Sequence, residues 1–116
     1  MTLQERHIGD AVVLDLEGRL TLEDGSERLK DKINSLLHQQ VRQLFINLDH
    51  TSYIDSSGLG QLVASSTAVA RQGGSLKLFN LGRQPRDLLV MTKLLMVFDT
   101  YPTEQAALRS VAQRVA

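Results

Sequence analysis

Residues 44–60 begin with the apolar run Leu44-Phe45-Ile46-Asn47-Leu48 and end with the polar run Asp55-Ser56-Ser57-Gly58-Leu59-Gly60. The first run is short and nearly continuous, which is typical of a strand buried on both faces. The second run is rich in the Asp, Ser and Gly residues that commonly start helices, and we expect one of its serines to be the N-cap. The stretch therefore predicts a buried strand that ends near Leu48, then a loop, then a helix.

Upstream of this stretch, the sequence predicts a hairpin and a helix. Residues 3–8 and 11–17 resemble strands, and Gly9-Asp10 between them suits a tight turn because glycine accepts positive φ. The segment Asp24-Gly25-Ser26-Glu27 has a capping residue followed three positions later by a glutamate, which predicts a helix start. The apolar residues that follow at helical spacing are Leu29, Ile33, Leu36 and Leu37.

Downstream, helices and strands continue to alternate. The helix that begins at the serines should run to Gly73-Gly74, with an apolar face made of Leu59, Leu62, Val63, Ser66, Val69 and Ala70. Leu76, Leu78 and Leu81 alternate in a further strand, and Pro85 fits the first turn of another helix because its missing N–H costs nothing there. Met96-Val97-Phe98 predicts a short last strand, and a terminal helix should start at Thr103.

The predicted order is ββαβαβαβα, in one α/β domain over residues 1–116. Strands that are separated by helices are mostly parallel, because a crossover helix returns the chain to the same end of the sheet. We therefore expect a mixed, mostly parallel sheet covered by helices. Ligands and partners of such sheets bind at the carboxyl ends of the strands, which is where Asp55-Ser56-Ser57-Gly58 lies.

The composition excludes several function classes. Thirteen basic and thirteen acidic residues give a formal charge of zero, which argues against nucleic-acid binding. The chain has no cysteine, a polar start and no apolar stretch long enough for a membrane span. We expect a cytoplasmic protein that is a monomer and binds neither nucleic acid nor membrane.

The serines at positions 56 and 57 have two possible roles on sequence chemistry alone. A cap serine turns its oxygen inward to accept a backbone N–H, which is the ordinary role of serine at a helix start. Alternatively, an exposed hydroxyl at the positive end of a helix dipole can carry a phosphate that the domain itself tolerates. Residue types and spacing favour capping.

The stretch Tyr53-Ile54-Asp55-Ser56-Ser57-Gly58-Leu59-Gly60 shifts this balance because it resembles a known family. Followed by a helix, by Gly73-Gly74 and by the strand Leu76-Lys77-Leu78, it is similar to the anti-sigma factor antagonists, whose fold is called the STAS domain. The similarity runs from Gly18-Arg19-Leu20 to Ala106-Ala107-Leu108. It covers nearly the whole chain.

The resemblance implies partner switching. The unphosphorylated antagonist binds an anti-sigma factor serine kinase and frees a sigma factor, and phosphorylation by that kinase releases it. The family's phosphoacceptor is the serine directly after the aspartate, which is Ser56 here, with Ser57 as second choice. A serine phosphatase would restore the unphosphorylated form. The chain itself would need no cofactor, since ATP and magnesium belong to the kinase.

The resemblance also suggests roles for the neighbouring residues. Asp55 would orient the hydroxyl or contact the kinase, Ser57 and Gly58 would shape the helix start, and Leu59 would offer an apolar contact. Glycine at 58 and 60 fits close approach of another backbone, although helix entry alone also explains either one. The expected partner-binding residues are Asp55, Ser57, Gly58, Leu59, Gly60, Thr21, Glu23 and Asp24.

One segment departs from the family pattern. Many relatives have Gly-Glu-Leu-Asp after the second strand, whereas this chain has Gly18-Arg19-Leu20-Thr21. Arg19 reverses a charge, which leaves open which kinase the chain recognises and whether Glu23 or Asp24 replaces the missing acidic contact.

The sequence gives less support to nucleotide binding, hydrolase activity or a metal site. Gly58-Leu59-Gly60 lacks the third glycine of a dinucleotide fingerprint, and the serines lack the preceding glycine of a hydrolase elbow. His50 is close in sequence to Ser56, as a catalytic base would be, but its context favours a solvated loop histidine, and no His, Asp or Glu cluster has metal-ligand spacing. We therefore predict that the chain is not an enzyme and binds no metal. The rival hypothesis is a scaffold or interaction subunit of a signalling assembly whose target is not a sigma factor.

Overall fold

The computed structural model describes residues 1–112 and contains five strands and four helices in this part of the chain. In chain order they are β1 (Thr2–Ile8), β2 (Ala11–Leu20), α1 (Ser26–His38), β3 (Gln43–Ile54), α2 (Ser56–Arg71), β4 (Ser75–Phe79), α3 (Arg83–Met91), β5 (Asp99–Tyr101) and α4 (Glu104–Ala112). The predicted order ββαβαβαβα in a single α/β domain is confirmed.

The strands form one sheet in the order β1-β2-β3-β4-β5. The β1 and β2 strands are antiparallel and joined by the predicted turn, in which Gly9 has φ 60°. Each later pair of neighbours is parallel. The carboxyl ends of β2 and β3 therefore lie at the same edge of the sheet, where Leu20 pairs with Ile54.

Strand alternation gives the sheet two unlike faces. Val12, Leu14 and Leu16 of β2 point into the main core, together with Leu44, Ile46, Leu48, Leu76 and Leu78. The helices α1, α2 and α3 cover this face. The opposite face has a smaller core around Val13, Phe45 and Phe79, which α4 covers through Ala107.

The β3 strand is longer than the sequence indicated. It does not end near Leu48 but continues to Ile54, so the expected loop before the serines is wrong. The cause is pairing: β2 also extends, and its residues Gly18, Arg19 and Leu20 pair with Thr51, Tyr53 and Ile54. The ladder is irregular, with register shifts between Asp15 and Glu17 and between Gly18 and Arg19. The hydrophobic pattern did not reveal this part of β3 because residues 49–53 are mostly polar.

The last strand lies elsewhere than predicted. Residues 95–97 form a turn and Phe98 a bend, and β5 begins at Asp99, which pairs with Lys77. Val97 N–H donates to the Leu94 carbonyl at 3.0 Å and closes this turn, in which Met96 is 95% exposed. Of the three predicted strand residues, Phe98 packs in the core, whereas Met96 and Val97 are exposed.

Two smaller details also differ from expectation. On α2, Ser65 rather than Ser66 is buried, and Ala70 is exposed. The predicted helix starts near Pro85 and Thr103 are confirmed as α3 and α4. Within residues 1–112, none of the helices combines the length and apolar character needed to cross a membrane.

Candidate partner-binding site

The start of α2 is fixed by the carboxylate of Asp55. This residue has extended backbone angles and is the N-cap, so the expectation that a serine caps the helix is wrong. Gly58 N–H donates to Asp55 Oδ1 at 2.7 Å, and Leu22 N–H donates to Asp55 Oδ2 at 3.1 Å. Since Asp55 satisfies the helix end, the hydroxyls of the two serines are not required for capping.

The same contacts set the ionisation of Asp55. Partial burial pushes the pKa of the carboxyl upward, but hydrogen bonds from the N–H groups of Gly58, Leu22 and Ser57 outweigh it and hold the pKa below its ordinary value. Asp55 is therefore a fixed negative charge at neutral pH. Its charge also complements the positive end of the α2 dipole.

The two serines differ in exposure. Ser56 is the first residue of α2 and is exposed, whereas Ser57 is half-buried. A modifying enzyme needs the hydroxyl to enter its own active site, so the geometry favours Ser56 over Ser57.

The glycines at 58 and 60 have different environments. An added Cβ at Gly58 would lie 2.1 Å from the Leu20 carbonyl oxygen, so only glycine fits where α2 crosses the end of β2. At Gly60, which is exposed, no described heavy atom would lie within 4 Å of an added Cβ. Gly58 thus serves the close approach of this chain's own backbone, and Gly60 leaves an open surface.

Leu59 does not offer the expected apolar contact to a partner. Its side chain is 6% exposed and belongs to the main core. Leu59 lies on the apolar face of α2 with Leu62 and Val69, and this face packs on the sheet.

A turn between β2 and α1 brings the predicted acidic residues to the site. Thr21 N–H donates to the Asp24 carbonyl at 2.7 Å, and the Leu22 N–H bond to Asp55 joins this turn to the start of α2. Glu23 is exposed, and Asp24 is paired with the amino group of Met1 at 2.5 Å. Thr21, Glu23, Asp24 and Asp55 therefore line one concavity, of about 550 Å³, together with Arg19, Leu22 and Tyr53.

Leu22, Tyr53 and Arg19 also line this concavity, although they are not among the expected partner-binding residues. Leu22 is 72% exposed and Tyr53 is 39% exposed, and the Arg19 guanidinium lies over the Tyr53 ring at 4.8 Å from its centroid. An apolar residue such as Leu22 in an otherwise polar turn is a weak indication of a binding surface, and the sequence contains no stronger one for these residues. The Arg19–Tyr53 contact depends on the register of β2 with β3, which the sequence does not reveal.

Comparisons with known proteins agree with this fold. A model of the STAS domain family matches residues 2–107, and the chain therefore belongs to the STAS domain family. A curated relative, the anti-sigma-B factor antagonist of Bacillus subtilis (strain 168), is 41% identical over 71 residues. The aligned region is 61% of this chain and 64% of that protein, so it spans less than two-thirds of the relative.

Solved structures show the same architecture. A protein from Thermotoga maritima described as a candidate anti-sigma factor antagonist superposes with a TM-score of 0.89 at 22% identity, covering 95% of this chain and 94% of that one. The unphosphorylated anti-sigma factor antagonist SpoIIAA superposes with a TM-score of 0.74 at 23% identity, covering 96% of this chain and 98% of its own. The phosphorylated form of SpoIIAA, a Bacillus cell fate determinant, also gives 0.74 at 23% identity, with 95% and 99% covered.

Proposed function

We propose that this chain is an anti-sigma factor antagonist that acts by partner switching. In its unphosphorylated form it binds an anti-sigma factor serine kinase and frees a sigma factor, and phosphorylation of Ser56 releases it. The observation that carries the proposal is an exposed Ser56 hydroxyl at the start of α2, beside a concavity with exposed Leu22 and Tyr53. The Bacillus subtilis relative and the two forms of SpoIIAA support it.

The switch follows from charge at the interface. A phosphate adds about −1.5 to −2 charges, and here it would stand next to the ionised Asp55, which already accepts from N–H groups at the helix end. The dipole offers about 0.3–1 kcal/mol, while an unpaired charge buried against a partner costs about 3–5 kcal/mol. The interface penalty is larger, so the phosphate weakens binding by on the order of a hundredfold or more and leaves the fold intact.

The concavity supplies the remaining contacts of the proposed interface. Leu22 and Tyr53 present apolar and aromatic surface, the residue types that contribute most at interface centres. Arg19, held over Tyr53, would meet an acidic group of the kinase. In this scheme ATP and magnesium are bound by the kinase, a serine phosphatase reverses the modification, and all partners act in the cytoplasm.

The test is phosphorylation by a serine kinase of the anti-sigma type from the same organism, followed by intact mass measurement. Wild type and Ser57→Ala should each gain one phosphate with ATP, and Ser56→Ala should gain none. Equal labelling of all three variants would contradict the assignment of Ser56. Binding of the kinase without labelling of any variant would favour a scaffold or interaction subunit instead.

A further inference from the structure

The end of β3 has a strand on one side and a helix side chain on the other. The β4 strand pairs with Gln43 to Asn47, and from Leu48 onward β3 runs beyond it. On the β2 side, Leu20 pairs with Ile54, and Asp55 N–H donates to the Leu20 carbonyl at 3.2 Å. The side of Ile54 that faces away from β2 therefore needs another partner.

Gln84, in the first turn of α3, is that partner. Ile54 N–H donates to Gln84 Oε1 at 2.8 Å, and Gln84 Nε2 donates to the Ile54 carbonyl at 2.9 Å. A primary amide carries an acceptor and a donor side by side, so this side chain replaces the peptide group of a neighbouring strand. Ile54 is 2% exposed, which makes its backbone groups dependent on these bonds.

Ile54 is the residue before the helix cap. Its carbonyl belongs to the peptide group that continues into Asp55, so holding this group fixes the backbone from which Asp55 and Ser56 project. The concavity lies on the side of Leu20 and the turn of residues 21–25. Gln84 holds the Ile54 peptide group from the opposite side and does not line the concavity. A change at residue 84 therefore alters the placement of Ser56 without altering the surface of the concavity.

We propose that Gln84 is a positioning residue for the phosphorylation of Ser56. The inference rests on the proposed function and deepens it: the two-bond clamp holds the end of β3 so that the hydroxyl meets the kinase in a reactive orientation. Misplacing a reacting group by about 1 Å is enough to slow a reaction on the order of a hundredfold. We expect the clamp to affect the rate of phosphoryl transfer to Ser56 and not the affinity of the kinase for the chain.

The experiment measures kcat and KM for phosphorylation of the chain by its kinase, at a temperature where every variant is folded. Gln84→Met keeps the side-chain length and removes both hydrogen bonds. Gln84→Glu keeps the acceptor for Ile54 N–H but sets an oxygen against the Ile54 carbonyl. Both should lower kcat by about tenfold while KM for the chain stays within about twofold of wild type.

Val12→Ala is the matched control. Val12 is buried at the other end of β2, where it pairs with Leu44, so its loss destabilises the domain far from Ser56. This variant should have the wild-type kcat. If it slows transfer as much as Gln84→Met does, or if both Gln84 variants keep the wild-type kcat, Gln84 has a structural role and the proposal is wrong.

Hydrogen exchange at the Ile54 amide gives a readout that does not depend on the kinase. In Gln84→Met this amide should exchange at least about tenfold faster than in wild type, beyond the change in global stability seen at other core amides. Unchanged protection would overturn the clamp itself. Failure of wild type to be labelled at Ser56, with faster exchange in Gln84→Met, would instead overturn the proposed function and with it the role of the clamp in phosphorylation.

Discussion

The helices α1 and α2 begin at similar sequences but have different N-termini. Asp24-Gly25-Ser26-Glu27 precedes and opens α1, and Asp55-Ser56-Ser57-Gly58 does so for α2. At α2, the aspartate caps the helix and Ser56 is exposed. At α1, Gly25 is the N-cap with φ 101°, Asp24 pairs with the Met1 amino group, and Ser26 is buried. The expected capping box of α1 is therefore wrong.

The difference comes from what precedes each helix. The α2 helix follows β3 with one intervening residue, so Asp55 keeps the extended backbone that an N-cap requires. The α1 helix follows a turn that closes on itself through Thr21 and Asp24, which turns the Asp24 side chain outward. Similar residue types thus yield an accessible hydroxyl in one place and a hidden one in the other.

The largest expected effect concerns the packing of α2 against β2. Gly58→Ala should destabilise the domain by about 3 kcal/mol, because its Cβ would collide with the Leu20 carbonyl and backbone would have to move. Gly60→Ala is the matched control and should be neutral or stabilising by up to about 1 kcal/mol, since alanine favours the helix. Urea unfolding of both variants measures this. Equal effects at the two positions would show that Gly58 is not in close contact with β2.

The next largest effect is a difference in stability between variants of Asp55 and Asp24. Asp55→Ala should lower the free energy of unfolding by about 1 kcal/mol through loss of the cap. Asp24→Ala should cost less than about 0.5 kcal/mol, because half of the Asp24 side chain is exposed and solvent screens its pair with the Met1 amino group. Thermal unfolding of the two variants at neutral pH makes the comparison. A larger loss for Asp24→Ala would mean that α1, not α2, depends on its aspartate.

The pH dependence of stability gives a second test of Asp55 as the charged cap of α2. The folded-state pKa of Asp55 is below its ordinary value, so its charge stabilises the fold above about pH 4, and this contribution is lost as pH falls through the folded pKa. Asp55→Asn keeps a capping oxygen but does not titrate. The difference in stability between wild type and Asp55→Asn should therefore be largest at neutral pH and shrink as the pH falls through the folded pKa of Asp55. Ser56→Ala should follow wild type throughout, and a difference for Asp55→Asn that is constant with pH would contradict the cause given for the shift.

The smallest effect concerns the buried serine of α1. Among the described residues, Ser26 Oγ has no hydrogen-bond partner although it is buried. Ser26→Ala should therefore be stabilising by a few tenths of a kcal/mol up to about 1 kcal/mol, because it removes an unsatisfied polar group. Ser56→Ala should leave stability within about 0.5 kcal/mol of wild type. The denaturant midpoints of Ser26→Ala and Ser56→Ala measure both effects. A loss of stability in Ser26→Ala would show that the Ser26 hydroxyl makes a hydrogen bond.

The sequence predicted the order of the elements, the hairpin at Gly9-Asp10 and the burial of Leu44-Phe45-Ile46, because these follow from local patterns. It did not predict the length of β3 or the Arg19–Tyr53 contact, since both arise from pairing with a distant strand. It also left the cap of α2 undecided between serines, because Asp and Ser are equally good caps and the end of the strand chooses between them. The preference for Ser56 came from the family resemblance, and the structure adds its exposure.

The claim that a charge at Ser56 acts on the interface and not on the fold can be tested by one paired measurement. Ser56→Asp is compared with Ser56→Ala and wild type for the Kd of the kinase and for the thermal midpoint. We expect Ser56→Asp to bind on the order of a hundredfold more weakly while its midpoint stays within about 5 °C of wild type. Wild-type affinity in Ser56→Asp, or weakened binding that accompanies unfolding, would contradict the account.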